Sequence, residues 1–279
     1  MPQTPTTDQR TPGAPLIIAH GLDKRFGAIH AVRGIDLTVR SGEVLGFLGP
    51  NGAGKSTTMR MLTGFLEPTA GSVTLDGIAL DRDPLGAKRT FGYLPEGAPG
   101  YPDMRVEEFL RFIGRARGFT GDALRKAVDV VVDRVNLGAV RRQTIETLSK
   151  GFKRRVGLAQ ALIHNPRILI LDEPTDGLDP NQKHEVRELI RHLGSDRSVV
   201  LSTHILEEVE AVCTRAVIIN RGEIVFDGTP NEMDSRAPRS VDRNRLDHVF
   251  RALTTKDTAD EASRRVARSL GVAVKEGSR

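Results

Sequence analysis

The chain has 279 residues, of which 38% are hydrophobic and 28% are charged, the composition of an ordinary globular protein. Its one cysteine, Cys213, excludes an internal disulfide and a zinc site built from cysteines. The net charge of +5 allows an anionic partner, although the 41 basic and 36 acidic residues are interspersed. No run approaches the roughly 18 uninterrupted apolar residues of a membrane span.

The N-terminal part of the chain alternates between strand and helix patterns. Residues 1–14 lack the apolar segment of a secretion signal and predict a disordered lead-in. The stretches that predict strands are PLIIAH, IDLTVR, EVLGFLG, SVTLDG and TFGYL. A helix is predicted at KSTTMRMLTGFL, directly after EVLGFLG. Strands that alternate with helices favour a mainly parallel sheet, which binds its ligand at the carboxyl ends of the strands.

The middle of the chain predicts a helical lobe over about residues 95–162. Apolar residues recur at helical spacing between Val106 and Leu137, and a further helix follows Ser149. The alternation of strands and helices then resumes through RILILDE, NQKHEVRELIRHL, SVVLSTH and ILEEVEAVC. The stretch RAVIINRGEIVFDG predicts a hairpin.

The periodic pattern weakens after the main domain, which we assign to residues 15–230. Residues 231–279 predict a C-terminal tail with one short amphipathic helix. Two interpretations of the tail remain open. It either docks on a partner copy through Val249 and Phe250 or is disordered.

The segment GPNGAGKS lies between a predicted strand and a predicted helix and fits the phosphate-loop pattern G-x-x-x-x-G-K-[ST]. Its glycines let backbone N–H groups point at the β- and γ-phosphates of a nucleotide, and Lys55 and the helix dipole add positive charge. The hydroxyl of Ser56 is predicted to bind Mg²⁺. We expect the nucleotide to contact the whole loop: Gly49, Pro50, Asn51, Gly52, Ala53, Gly54, Lys55, Ser56 and Thr57.

Two adjacent carboxylates follow the apolar strand ILIL. Asp172 is predicted to hold Mg²⁺ through its water shell, and Glu173 to orient or deprotonate the water that attacks the γ-phosphate. His204, after another buried strand, is predicted to bind the γ-phosphate or that water. A strand-capping acid and a surface or core histidine are the structural alternatives. The phosphate loop favours the catalytic interpretation, with Lys55 as the third catalytic residue.

From about Leu16 to Gly228 the chain resembles the ATP-binding subunits of ABC transporters. The phosphate loop, the segment YLPEGAPG, the helix start LSKGF, the acid strand, the loop DGLD and the histidine of LSTH occur in the family's order. A P-loop kinase would need neither LSKG nor DGLD. The resemblance implies an α/β P-loop NTPase of the ABC ATPase type, with a mainly parallel core sheet, an antiparallel β subdomain and an all-helical lobe.

The resemblance also assigns roles to residues outside the phosphate loop. The start LSKGF corresponds to the family's signature LSGGQ, so Ser149, Lys150 and Gly151 are expected to bind the γ-phosphate of ATP held by a second copy. Lys150 replaces a glycine of that pattern. Phe26 corresponds to the aromatic residue that stacks on adenine, although a core phenylalanine is the structural alternative. Asp179 corresponds to the aspartate that bridges the two subunits.

The most informative departure from the family pattern is Glu96, which stands where a glutamine reaches Mg²⁺ and links the core to the helical lobe. A carboxylate ligates Mg²⁺ more strongly than an amide oxygen does. Our hypothesis is that Glu96 makes closure of the lobe more dependent on the metal.

The turn after LPE and the tail piece RLDHVFRAL resemble the short ATPases of exporters of the gliding-motility and drug-export types, whose membrane part is a separate subunit. We therefore expect an ATP hydrolase that uses ATP and Mg²⁺ and dimerises head to tail with a copy of itself or a close relative. It would lie on the cytoplasmic side of the membrane, bound peripherally to multi-spanning subunits through residues 96–109. No nucleic-acid partner is expected.

Two other functions remain open from the sequence. One is a soluble ABC-type ATPase that acts on ribosomes or nucleic acid. The other is an ABC complex that transmits a mechanical signal without moving a solute.

Overall fold

The computed structural model describes residues 13–97, 100–195, 197–238 and 244–255. Within these ranges the strands are β1 (Pro15–Phe26), β2 (Ile29–Arg40), β3 (Val44–Leu48), β4 (Ala70–Leu75), β5 (Ile78–Ala79), β6 (Phe91–Leu94), β7 (Ile168–Asp172), β8 (Ser198–Thr203), β9 (Arg215–Asn220) and β10 (Glu223–Gly228). The α-helices in the same ranges are α1 (Lys55–Leu62), α2 (Pro84–Thr90), α3 (Val106–Ala116), α4 (Gly121–Arg134), α5 (Lys150–Leu162), α6 (Pro180–Gly194), α7 (Leu206–Val212), α8 (Pro230–Ser235) and α9 (Arg245–Thr255).

The larger sheet explains why the predicted site residues meet. Its strand order is β10-β9-β3-β8-β7-β6, in which β10 alone is antiparallel to its neighbour. Every residue of β3, β7 and β8 is buried, as expected for parallel strands covered on both faces. Because β3, β8 and β7 are adjacent, the loops after their carboxyl ends lie side by side. The predicted α/β fold with a mainly parallel core sheet is confirmed.

The smaller sheet is antiparallel, with the order β2-β1-β4-β5. Strands β1 and β2 extend beyond the predicted stretches PLIIAH and IDLTVR. The sequence pattern did not indicate the additional residues, because register shifts between the two strands interrupt the alternation of buried and exposed residues. Ile17, Leu22 and Leu37 of this sheet share a core with Phe47 of β3. The hairpin between β1 and β2 places Phe26 at its tip.

The helices α3, α4 and α5 form the predicted helical lobe. Phe109, Leu110 and Val128 are buried there, in a core that continues to β7 and β8. Helix α5 also lies directly against β6, since a side chain at Gly92 would collide with the carbonyl group of Ala161. The helix that begins at the signature motif therefore contacts both the lobe and the sheet.

The helix α9 packs on its own chain. Leu246 and Val249 are 6% and 5% exposed and share a core with Ile218 and Phe226, and Phe250 packs against the same cluster. The short amphipathic helix predicted in the tail is therefore present, so this part of the tail is not disordered, and Val249 packs on its own chain instead of docking on a partner copy.

Most of the predicted lead-in, residues 1–12, lies outside the described residues, and so does the end of the tail, residues 256–279. The carbonyl groups of Gly13 and Ala14 accept hydrogen bonds from Arg40 and Ser41 at the end of β2. None of the helices in the described ranges has the length and apolarity that a membrane span requires.

Candidate nucleotide site

The loop between β3 and α1 surrounds the ammonium group of Lys55. Lys55 Nζ donates to the carbonyl oxygens of Gly49 at 2.9 Å and Pro50 at 3.4 Å. Gly54 precedes α1 with a φ of 110°, and a Cβ atom there would lie 2.6 Å from a carbonyl oxygen of β2, so that only glycine fits. The structure thus brings residues 49–57 into one loop at a helix N-terminus, an arrangement suited to binding phosphate.

Asp172, the last residue of β7, lies beside this loop. Its Oδ1 is 3.4 Å from Ser56 Oγ and accepts a hydrogen bond of 2.5 Å from Ser202 Oγ. Its Oδ2 is buried without a hydrogen-bond partner among the described residues, which is costly for a carboxylate. Because Mg²⁺ prefers oxygen ligands, the Ser56 hydroxyl and the unsatisfied carboxylate oxygen fit this ion. The described residues contain no cluster of three or more His, Cys, Asp or Glu that would hold another metal.

Glu173 follows Asp172 with a φ of 49°, a conformation that is uncommon for a residue with a side chain. Its N–H group donates to Ser202 Oγ at 3.0 Å. Its Oε1 lies 3.5 Å from Lys55 Nζ, and its Oε2 lies 2.9 Å from His204 Nδ1. The side chain of Glu173 is 11% exposed and that of His204 is 43% exposed. The three predicted catalytic residues therefore form one cluster.

The predicted metal ligand Glu96 lies at the surface. Its carboxylate is exposed and, among the described residues, makes no hydrogen bond or ion pair. Its carbonyl oxygen accepts a hydrogen bond of 2.8 Å from Arg154 Nη1. The other end of that guanidinium donates to the carbonyl oxygen of Glu173 at 2.5 Å. The loop of Glu96 is thus joined to the acid strand through α5.

The start of α5 forms a second corner that suits an anion. Ser149 Oγ caps the helix by accepting a hydrogen bond of 3.3 Å from the N–H group of Phe152, and Lys150 is exposed beside it. A side chain at Gly151 would meet the carboxamide of Gln182 on α6. In the part of the chain that the structure describes, no hydrogen bond or ion pair joins this corner to the phosphate loop. The two predicted phosphate-binding segments are therefore separate.

Phe26 and Asp179 have local surroundings that bear on their predicted roles. The ring of Phe26 is 47% exposed, with Lys24 Nζ 5.3 Å from its centroid, so the alternative of a core phenylalanine is wrong. An exposed ring of this kind can stack on a base. The carboxylate of Asp179 caps α6 by accepting hydrogen bonds of 3.0 Å from the N–H groups of Asn181 and Gln182. Its predicted contact with a second copy stays a prediction.

Three polar residues that support the cluster escaped the sequence analysis: Ser202, Glu208 and Arg154. Ser202 joins the two acids, as described above. Glu208 is 2% exposed and accepts hydrogen bonds from Thr203 Oγ1 at 2.7 Å and from Thr175 Oγ1, which ties the loop after β7 to the end of β8. The sequence signal that could have identified these residues is a polar side chain at a position where the pattern of a buried strand or helix face requires an apolar one. Ser202 lies in a fully buried strand, and Arg154 lies on the buried face of α5.

A phosphate loop between a buried strand and a helix, with a carboxylate pair at the end of a nearby parallel strand, defines a P-loop nucleotide-binding protein. The model of the ABC transporter family matches residues 32–176, more than half of the chain. The chain belongs to the ABC transporter family, as an ATP-binding subunit.

Curated relatives and solved structures agree with this family. The linearmycin resistance ATP-binding protein LnrL of Bacillus subtilis (strain 168) is 36% identical over 222 residues, which are 79% of this chain and 71% of the relative. The Nod factor export ATP-binding protein I of Ralstonia nicotianae is 36% identical over 78% of this chain and 68% of its own length.

Among solved structures, an ATP-binding subunit of an ABC transporter superimposes with a TM-score of 0.75 at 28% identity, covering 85% of this chain and 99% of the other. A dimeric, post-hydrolysis ATP-binding cassette bound to ADP and Pi gives a TM-score of 0.69 at 25% identity, covering 76% and 98% of the two chains.

Proposed function

We propose that this chain binds and hydrolyses ATP and thereby drives a membrane transporter of the export type. The observation that carries this proposal is the cluster in which Lys55 Nζ and His204 Nδ1 lie 3.5 Å and 2.9 Å from the two carboxylate oxygens of Glu173. Transfer of a phosphoryl group to water requires a positioned base and positive charge around the phosphates. The cluster and the adjacent phosphate loop supply both.

In the proposed reaction, the amide groups of the phosphate loop and the ammonium group of Lys55 bind the β- and γ-phosphates of ATP. Glu173 accepts a proton from a water molecule while the water oxygen attacks the γ-phosphorus. The bond from the γ-phosphorus to the bridging oxygen breaks, which releases ADP and phosphate. His204 donates from Nδ1 to Glu173 and so orients the carboxylate. Mg²⁺, bound by Ser56 and near Asp172, would neutralise negative charge on the phosphates.

We propose that the start of α5 completes the nucleotide site of a second copy. Ser149 and Lys150 are exposed at the N-terminus of a 13-residue helix, where the helix dipole and the ammonium group both favour an anion. Asp179 is also exposed, at the start of the neighbouring helix α6. The dimeric, ADP-bound structural neighbour supports this arrangement. ATP binding would close the dimer, and hydrolysis would reopen it.

The membrane partner is proposed from an exposed apolar surface in and around residues 96–109. We call Tyr101 and Phe112, which are 54% and 44% exposed, the aromatic patch. The rings of Tyr101 and Phe112 pack edge to face with centroids 5.6 Å apart. Exposed apolar surface of this kind marks a site of protein contact. We propose that separate multi-spanning subunits bind there, which places the chain peripherally on the cytoplasmic side of the membrane.

The direction of transport is proposed as export because one relative is named for Nod factor export.

The experiment that tests the function is purification of the tagged chain, carrying Glu173→Gln and loaded with ATP and Mg²⁺, from gently solubilised membranes. Co-purification of a multi-spanning membrane protein supports the proposal. Recovery of ribosomal or nucleic-acid-bound material without a membrane protein contradicts it and favours the soluble ATPase. A membrane partner that moves no solute after reconstitution favours the mechanical signal.

A pair of surface variants makes this purification specific. Phe112→Ser in the aromatic patch is expected to lose the membrane partner while ATP hydrolysis by the isolated chain is retained. The matched control is Val130→Ser, which removes an apolar side chain of α4 that is 56% exposed, against 44% for Phe112, and lies outside the patch. It is expected to keep the partner.

A further inference from the structure

The guanidinium group of Arg154 connects three segments of the chain. Arg154 is 4% exposed and lies on α5, five positions after Ser149. Nη1 donates to the carbonyl oxygens of Pro95 at 3.1 Å and Glu96 at 2.8 Å, and Nη2 donates to the carbonyl oxygen of Glu173 at 2.5 Å. The signature helix, the loop of Glu96 and the acid strand thus meet at one side chain.

The buried positive charge of Arg154 is bound by backbone carbonyl groups. Among the described residues, no carboxylate lies within ion-pair distance of Arg154, and its direct hydrogen-bond partners are backbone carbonyl groups. Burial lowers the pKa of Arg154, while the negative charges of Asp176 and Asp172 act in the opposite direction. A planar fork with donors at both ends can bridge two loops, whereas the single ammonium group of a lysine cannot reach both in the same geometry.

The contact with Glu173 constrains the catalytic carboxylate. The backbone of Glu173 is left-handed, with its N–H group bound to Ser202 Oγ and its carbonyl group bound to Arg154. Both backbone groups are therefore fixed by neighbours. The direction in which the side chain leaves the backbone depends on these two hydrogen bonds, because an uncommon conformation persists only when its surroundings hold it.

We propose that Arg154 is a positioning residue that joins the loop of Glu96 to the catalytic residue Glu173, so that a displacement of the loop alters the position of the carboxylate. This inference rests on the proposed function, because it assumes that Glu173 activates the attacking water. A single side chain then connects the loop of Glu96, which we propose faces the membrane partner, to the cluster that contains Glu173.

The test compares Arg154→Gln and Arg154→Lys with the wild type in ATP affinity, kcat and thermal unfolding. We expect Arg154→Gln to bind ATP with an affinity close to wild type and to lower kcat by about tenfold to a hundredfold, since misplacing a catalytic group by about 1 Å has an effect of this order. Arg154→Lys keeps the charge and part of the hydrogen bonding. Its kcat is expected to lie between that of Arg154→Gln and that of the wild type. A kcat unchanged in Arg154→Gln overturns the proposal. So does a loss of ATP affinity as large as the loss of kcat.

The matched control is Arg197→Gln. Arg197 is 5% exposed and donates from Nη1 to the carbonyl oxygen of Pro166, at the opposite edge of the same sheet. Removing either guanidinium group lowers the unfolding temperature, because both are buried. Only the change at Arg154 is expected to lower kcat, which separates positioning from general destabilisation. An equal fall of kcat in the control contradicts the proposal.

A second readout follows the loop directly. Among the described residues other than its chain neighbours, nothing lies within 4 Å of a Cβ atom at Gly97, so Gly97→Cys can carry a fluorescent label next to Glu96. The native Cys213 has a pKa raised by burial and reacts poorly at neutral pH. We expect ATP to change the label's emission with Arg154 present and to have a much smaller effect in Arg154→Gln; an undiminished change contradicts the proposal. Failure of the proposed function can be distinguished from failure of this inference. If Glu173 does not activate the attacking water, Glu173→Gln hydrolyses ATP as the wild type does.

Discussion

His204 Nδ1 lies 2.9 Å from Oε2 of Glu173, at the carboxyl edge of the larger sheet. The side chain of Glu173 is 11% exposed and that of His204 is 43% exposed, so the imidazole is the more accessible of the two groups. Glu173 and His204 directly follow β7 and β8, which are parallel neighbours in the sheet. The hydrogen bond between them therefore results from the strand order of the sheet. In the proposed reaction it orients the carboxylate that activates the water.

Glu173→Gln is predicted to lower kcat by about 10²–10⁴-fold, the range expected when a general base is removed. The amide keeps the size of the side chain but cannot accept the proton. ATP affinity should be kept or increased, because a negative charge near the phosphates is removed. Phosphate release and nucleotide binding measure the two effects. Glu188→Gln, which changes an α6 carboxylate paired with Arg191, serves as the control and should keep the wild-type rate.

Glu96→Gln is predicted to raise the Mg²⁺ concentration needed for half-maximal ATP hydrolysis. A unit charge about 4 Å from a divalent ion in a water-like medium contributes on the order of 2 kcal/mol, about thirtyfold in affinity. The carboxylate is exposed, so the substitution should not disturb the fold. A magnesium titration of the hydrolysis rate measures the effect, with Glu67→Gln as the control. An unchanged magnesium dependence would show that Glu96 does not act on the metal.

His164 is predicted to make the protein less stable in mild acid. Its Nε2 bonds to the carbonyl oxygen of Phe91 at 3.0 Å, and its Nδ1 is buried without a partner in the described residues. Burial, and then the charge of Arg117, lower its pKa from 6.5 to about 4. The unfolded chain therefore takes up a proton near pH 6.5 while the folded chain resists it, and stability falls as the pH drops from 6.5 towards 4.

Urea unfolding of His164→Gln tests this pH dependence. The variant should lose less stability than the wild type on acidification through this range. Above the ordinary histidine pKa the two proteins should show the same pH dependence, which is the internal control. Equal slopes in the acidic range would mean that His164 is not the group responsible.

The chemistry-bearing segments could be predicted from the sequence because each is a local pattern with a local physical cause. The phosphate loop is glycine-rich and ends at Lys55 and Ser56, and the acids Asp172 and Glu173 follow an apolar strand. Parallel strands bring such segments to one edge once their order is known. The amphipathic pattern of α9 was also visible, although nothing in it revealed that Val249 packs against the sheet of its own chain.

The residues that hold the cluster together could not be predicted, because their contacts join segments distant in sequence. Arg154 bonds to carbonyl groups 58 and 19 positions away, and Ser202 bonds to an acid 30 positions away. A charged residue on the apolar face of a helix signals a buried contact without identifying the partner. Register shifts hid the full length of β1 and β2 for a related reason, since they depend on pairing between strands.

The measurement that tests the central claim most directly mixes two inactive variants, Lys55→Ala and Gly151→Asp. The first damages the phosphate loop and the second places a negative charge at the start of α5. In a head-to-tail dimer, one site of each mixed pair combines an intact loop with an intact signature segment. Half of the dimers are mixed and each has one intact site of two, so an equal mixture should recover roughly a quarter of wild-type ATP hydrolysis. A mixture no more active than either variant alone would contradict the composite site.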